Sequence, residues 1–245
     1  MASVSPELPF VIGHRGAAAL APENTLISLV RAKQEGATWV EFDVKLSRFG
    51  EAVLFHDPTL ERTTDGTGNV KDHSLSELRE LDAGQWFHPA FTGERIPTFL
   101  EAMVILAREG LGANVEIKPD EGRERETASS VARLIGSDWP RDVPLPVISS
   151  FSEEAIDVAH QEASEVPRAM LFWKLPNNWR DVVARYQCSA IHMSDRHLTP
   201  TLIQDAAEIG LPVRIYTIND PSRANELRAM GAQSIFTDRP DLIKD

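Results

Sequence analysis

Eight short apolar runs with strand character recur along the chain, and most are followed by a stretch whose apolar residues have helical spacing. The runs begin near residues 10, 39, 113, 146, 168, 189, 212 and 234. Helical spacing follows over 98–108, 123–135, 152–161, 178–186, 199–208 and 221–230. A further helix starts after Pro22-Glu23-Asn24-Thr25, with Asn24 or Thr25 as N-cap, and closes at Gly36. Repeated strand–helix units build a parallel sheet covered by helices on both faces. Eight units in 245 residues fit a closed (β/α)8 TIM barrel, typically about 250 residues long, better than an open doubly wound sheet. No glycine-rich phosphate fingerprint follows the first run, which counts against a dinucleotide-binding fold. With 42% hydrophobic residues the chain can bury one sizeable core, so residues 1–245 are read as one domain.

The alternation breaks once. Residues 58–97 carry turn chemistry in Thr63-Thr64-Asp65-Gly66-Thr67-Gly68 and a short helix with a capping-box start at Ser74 and Glu77. This is far longer than an ordinary strand-to-helix loop and predicts a small inserted subdomain after the second strand region. Its aromatics Trp86, Phe87 and Phe91 are expected to pack a core of their own. Residues 51–55 are either an extra strand or an extension of the second.

Candidate chemistry gathers where the strands end, the side on which parallel α/β folds place their sites. In Trp39-Val40-Glu41-Phe42-Asp43-Val44-Lys45-Leu46, period-two alternation puts Glu41, Asp43 and Lys45 on one face. The solvent face of an exposed antiparallel strand gives the same pattern. On a strand covered on both sides, however, paired carboxylates need a metal or a basic partner. The other strand ends add His14 and Arg15, then His56, then Glu116 and Lys118. Three carboxylates form a hard-oxygen set suited to Mg2+ or Ca2+ more than to zinc. The histidines suit either ligation or acid–base work, and Arg15 and Lys118 supply the fixed positive charge that an anionic phosphoryl group requires.

The ordered motifs Pro9-Phe10-Val11-Ile12-Gly13-His14-Arg15-Gly16, Pro22-Glu23-Asn24-Thr25, Glu41-Phe42-Asp43-Val44, His56-Asp57, Glu116-Ile117-Lys118-Pro119 and Phe236-Thr237-Asp238-Arg239-Pro240 resemble the glycerophosphodiester phosphodiesterase family. The inserted segment resembles that family's in Leu60-Glu61-Arg62-Thr63-Thr64-Asp65-Gly66 and Leu81-Asp82-Ala83-Gly84. The resemblance implies a (β/α)8 barrel that hydrolyses a glycerophosphodiester to sn-glycerol 3-phosphate and an alcohol. It implies Glu41, Asp43 and Glu116 as ligands of one divalent cation, His14 and His56 as a general acid/base pair, and Arg15 and Lys118 as holders of the phosphoryl oxygens. The nucleophile it implies is the substrate's own hydroxyl, through a cyclic phosphate, or water directly.

One departure is Tyr216-Thr217-Ile218-Asn219, where many relatives carry tryptophan first. Tyr216 keeps an aromatic substrate wall and is expected to add a hydroxyl to the cavity. Phe151 is a second candidate wall, or else a core residue at a helix start. His192 could reach the mouth or sit hydrogen-bonded in the core, and Asp238 could serve the rim or cap a turn. Asp57 is a candidate to orient a neighbour, and Cys188 reads as an inert buried thiol.

Two other readings are a lysophospholipase D-like enzyme on lipid substrates and a silent barrel that binds phosphorylated ligands. The second needs a broken histidine or carboxylate set, and all seven positions are intact. A formal charge of −12 argues against nucleic acid and against anionic lipid surfaces, so the expected partner is a small molecule without stable membrane association. The first residues lack a basic n-region and an apolar h-region, and there is one cysteine, so a cytoplasmic protein is expected.

Overall fold

The computed structural model describes residues 7–199 and 201–245. Among these, eight parallel strands close into a barrel. They are β1 (Val11–Gly13), β2 (Trp39–Leu46), β4 (Gly112–Ile117), β5 (Val147–Ser150), β6 (Arg168–Phe172), β7 (Ala190–Ser194), β8 (Val213–Tyr216) and β9 (Ser234–Thr237). Closure is made by β9 pairing with β1, Ile235 opposite Val11. The short strand β3 (Ala52–Leu54) is the extra one. It runs antiparallel on the far end of β2, where β1, which reaches only Trp39 and Val40, leaves backbone groups free.

The helices are α1 (Leu26–Gln34), α2 (Leu75–Glu80), α3 (Phe99–Glu109), α4 (Glu124–Asp138), α5 (Glu153–Glu162), α6 (Trp179–Arg185), α7 (Leu202–Ala207) and α8 (Pro221–Met230). Thr25, not Asn24, caps α1, accepting from the Ser28 amide. The capping boxes Ser74/Glu77 and Thr98/Glu101 are both formed. The expected helix at 199–208 begins later, and residue 200 and the reading of residues 1–6 lie outside the described residues.

All eight residues of β2 are buried, which rules out an exposed antiparallel strand. Its apolar face, Val40, Phe42, Val44 and Leu46, packs outward into the helix layer, where Phe42 meets Phe99 at 5.9 Å between ring centroids. Each such fully buried side chain contributes about 1.5–3 kcal/mol. The charged face therefore turns into the barrel. Apolar residues including Ile12, Trp39, Val147, Ala169 and Phe236 fill the interior beneath it.

Residues between β3 and α3 have a small cluster of their own, with Phe55, Leu60, Val70, Leu78, Ala83 and Ile96 packed together with Val53 of β3. The aromatics expected there lie elsewhere. Trp86 is 39% exposed, and it stacks edge to face at 5.6 Å on the half-buried Phe87, which meets the half-buried Phe91 in the same way, outside that cluster. At Gly84 the Phe91 carbonyl oxygen stands 2.0 Å from where a Cβ would be, so backbone rather than a ring fills that space. Among the described residues no helix is long and apolar enough to cross a membrane.

Candidate active site

Glu41 and Asp43 on β2 and Glu116 on β4 are all buried, with one carboxylate oxygen of each within 4.8 Å of the others. The register of the two strands, Asp43 opposite Glu116, sets this convergence. Burial, reinforced by the charges of Asp43 and Glu116, pushes the Glu41 carboxyl well above the usual carboxylate range. Burial likewise raises Glu116, with Asp43 adding to it and Lys118 opposing. Asp43 goes the other way. Burial opposes its charge, but Lys118, Arg15 and His56 outweigh that and lower it.

Cations and amides hold these carboxylates. The Arg15 amide donates to Glu41 Oε2 at 2.9 Å, and its Nε lies 3.4 Å from Asp43 Oδ2. Lys118 Nζ lies 2.7 Å from Glu116 Oε1 and 3.6 Å from Asp43 Oδ1. Asn24 clamps Asp43 from behind, its Nδ2 donating to Oδ2 at 2.9 Å and its Oδ1 accepting from the Asp43 amide. The turn that presents His14 and Arg15 needs Gly16, whose φ is +86° and where a Cβ would stand 2.5 Å from Ser28 on α1.

Each candidate histidine leans on a carboxylate. His14 Nδ1 lies 2.6 Å from Asp238 Oδ1, with Nε2 3.9 Å from Glu41 Oε2. Asn219 anchors Asp238, donating to Oδ2 at 2.7 Å and accepting from the Asp238 amide. His56 Nδ1 lies 2.5 Å from Asp57 Oδ1, and Arg62 donates to both Asp57 oxygens. Glu23 joins the two halves by pairing with both Arg15 and Arg62. Asp57 and Asp238 thus face the histidines, whereas Glu23 and Asn24 had only a helix-start reading. Their signal was the run Glu23-Asn24-Thr25, in which one residue caps and the polar neighbours beside it are left for the site.

These groups border a cavity of about 320 Å3 lined by His14, Arg15, Glu41, His56, Glu116 and Lys118, with Phe151 and Tyr216 as walls. Asp43 sits behind this lining, only 1% exposed. Phe151 is 42% exposed, so it is not a core residue; its ring meets Tyr216 edge to face at 6.0 Å and lies under Lys118 Nζ. The Tyr216 hydroxyl donates to the Phe172 carbonyl at 2.8 Å, so the expected extra polar group is already engaged. Trp173, which the sequence did not single out, stands at the wall half exposed. His192 lies inside the barrel at the cavity rather than at its mouth, and Cys188 is buried with its thiol pushed up to about 12 by burial.

A parallel barrel whose strand ends gather three carboxylates, two carboxylate-backed histidines and two cations around one cavity has the form of a phosphoryl-transfer hydrolase. Residues 14–242 match the glycerophosphoryl diester phosphodiesterase family, and the chain belongs to it. It is a phosphoric diester hydrolase of the glycerophosphodiester class. A glycerophosphodiester phosphodiesterase of Caldanaerobacter subterraneus is 30% identical, with 95% of each chain covered. One of Bacillus subtilis is also 30% identical, covering 98% of this chain and 87% of its own. An Oleispira antarctica phosphodiesterase, solved with the product sn-glycerol-3-phosphate, superposes with a TM-score of 0.94 at 39% identity, covering 96% of this chain and 95% of the other.

Proposed function

We propose that this site hydrolyses soluble glycerophosphodiesters to sn-glycerol 3-phosphate and an alcohol, with one divalent cation, Mg2+ or Ca2+, held by Glu41, Asp43 and Glu116. The observation that carries the reading is the convergence of three buried carboxylates at one cavity with two histidines that each have a carboxylate behind them. The donor set fits such an ion. All three ligands are hard oxygens, and Glu41 Oε1 is buried without a partner among the described residues.

When bound, the ion supplies Lewis-acid stabilisation of negative charge on the phosphoryl oxygens. The remaining work falls to the chain. Arg15 and Lys118 are already drawn to the cluster, and each retains N–H donors for a phosphoryl oxygen. Asp238 and Asp57 each take an Nδ1–H, which leaves Nε2 of His14 and His56 as the exchanging atom. One histidine removes the nucleophile's proton while the other protonates the leaving alkoxide. Phe151 and Tyr216 supply apolar faces for substrate carbons. A single buried thiol and a small polar substrate accord with a cytoplasmic setting.

The test is release of sn-glycerol 3-phosphate from glycerophosphocholine and glycerophosphoethanolamine, with and without chelator. Release that stops in chelator and returns with Mg2+ or Ca2+ is expected. Undiminished release in chelator would overturn the metal assignment, and preference for liposomal lysophospholipid would overturn the soluble substrate.

A further inference from the structure

Inside the barrel the cavity is also lined by two residues that the chemistry above does not use, Asn114 on β4 and His192 on β7. Both are buried, 1% and 0% exposed. Each side chain makes one hydrogen bond and leaves one polar atom unmatched. Asn114 Nδ2 donates to Ser149 Oγ at 2.9 Å, while its Oδ1 has no partner among the described residues. His192 Nε2 lies 3.3 Å from Arg214 Nη1, and its Nδ1 likewise has none. A guanidinium can only donate, so Nε2 must accept and Nδ1 must carry the proton. The cavity floor therefore offers one unmatched N–H donor and one unmatched carbonyl acceptor. Buried polar atoms in native structures nearly always have partners, so two unmatched ones beside the same ligand cavity require an account.

The ligand they suit is neutral and hydroxylated. His192 is held uncharged by burial and by the Arg214 charge beside it, and Asn114 is neutral, so neither attracts an anion. A hydroxyl both accepts and donates, which matches an N–H and a carbonyl oxygen. Leu171 and Phe236 line the same cavity and give C–H groups an apolar surround. We propose that Asn114 and His192 form the floor that binds the terminal glycerol hydroxyl of the substrate, and so favour glycerol over a shorter diol on that side of the diester. This rests on the glycerophosphodiesterase reading. Arg214 acts as a positioning residue, fixing the His192 tautomer.

The experiment compares kcat/KM for glycerophosphocholine with that for 2-hydroxyethyl phosphocholine. The analogue keeps the hydroxyl beside the ester and lacks only the terminal hydroxymethyl group. The parent enzyme should prefer the glycerol compound by about tenfold or more, as expected for a site built to bond a substrate hydroxyl. In His192→Leu and Asn114→Leu that preference should fall to about threefold or less, and His192→Gln, which keeps an N–H, should regain part of it. Competition by sn-glycerol 3-phosphate against 2-hydroxyethyl phosphate gives the same comparison without turnover, and the gap in Ki should narrow in parallel. If His192→Leu fails to fold, Asn114→Leu decides. Parental preference in the soluble variants would mean that the two atoms hold only a structural water and would overturn the proposal. Product release from the parent with no preference would overturn it too while leaving the phosphodiesterase reading standing.

Discussion

His14 Nδ1 and Asp238 Oδ1 are 2.6 Å apart although 224 residues separate them in the chain, because β9 closes the barrel against β1. Asp238 is itself pinned through Asn219, so the imidazole has one orientation and one tautomer. Asp238→Asn keeps the shape but can donate to Nδ1, which moves the ring proton to the atom that faces the site. In a hydrolase triad such a change costs about 10⁴-fold in kcat. We expect a fall of about 10²–10⁴-fold here with KM near parental, read by steady-state kinetics at saturating cation. A kcat within about twofold of parental would show that the pair does not orient a catalytic imidazole.

The acid limb of the pH profile should report His56. Burial lowers its pKa from the ordinary 6.5, Arg15 and Lys118 lower it further, and Asp43 and Asp57 only partly oppose. A lowered pKa means that the neutral ring persists to more acidic pH, so at saturating cation kcat/KM should begin to fall only below the ordinary imidazole value. Asp57→Asn removes a group that raises the pKa and should move the limb further toward acid. The same sign applies to folding: below 6.5 the unfolded chain binds a proton that native His56 resists, so stability is lost as pH falls. An acid limb above the ordinary value, or one moved toward base by Asp57→Asn, would contradict this.

The parts of this site that were legible beforehand are those fixed by one strand's periodicity. In β2, alternate residues must go to opposite faces, so once strand–helix alternation covers both sides, Glu41 and Asp43 have to meet something inside. Partners supplied by turns carry no such constraint. Asp57, Asp238, Glu23 and Asn24 are residue types that also cap helices and turns, and only closure of the barrel decides between the roles. Trp86, Phe87 and Phe91 were misplaced because burial preference ignores how little volume a short segment encloses. Tyr216 shows the same limit, since its hydroxyl bonds a carbonyl 44 residues away.

Cation binding should release protons. Glu41 and Glu116 are raised by burial and by crowding among the three carboxylates, so the ion-free protein retains protons that a ligated carboxylate cannot. Apparent affinity for Mg2+ or Ca2+ should therefore rise between about pH 6 and about pH 8. Titration calorimetry in buffers of different ionisation enthalpy should give a net proton release. Equal affinity at both pH values with no proton released would show that the carboxylates are already ionised. Glu116→Gln removes one of the charges that raise Glu41 as well as one proposed ligand, so it should weaken binding and reduce the proton count together.

Beside the cluster, Lys45 points into the barrel, with Nζ 3.0 Å from Asp120 Oδ1 and 3.2 Å from the Lys118 carbonyl oxygen. Both partners are almost wholly buried, so the pair differs from the surface ion pairs of the helices, which contribute little. Removing one member of such a pair strands the other charge and typically costs about 3–5 kcal/mol, whereas replacing both by apolar groups is often close to neutral. Lys45→Met and Asp120→Leu should each destabilise by about 3–5 kcal/mol in urea unfolding, and the double variant should recover most of that loss. Because Lys45 also holds the backbone that carries Lys118, Lys45→Met should lower kcat/KM even at temperatures where it stays folded. Single-variant losses below about 1 kcal/mol would mean that water already solvates the pair.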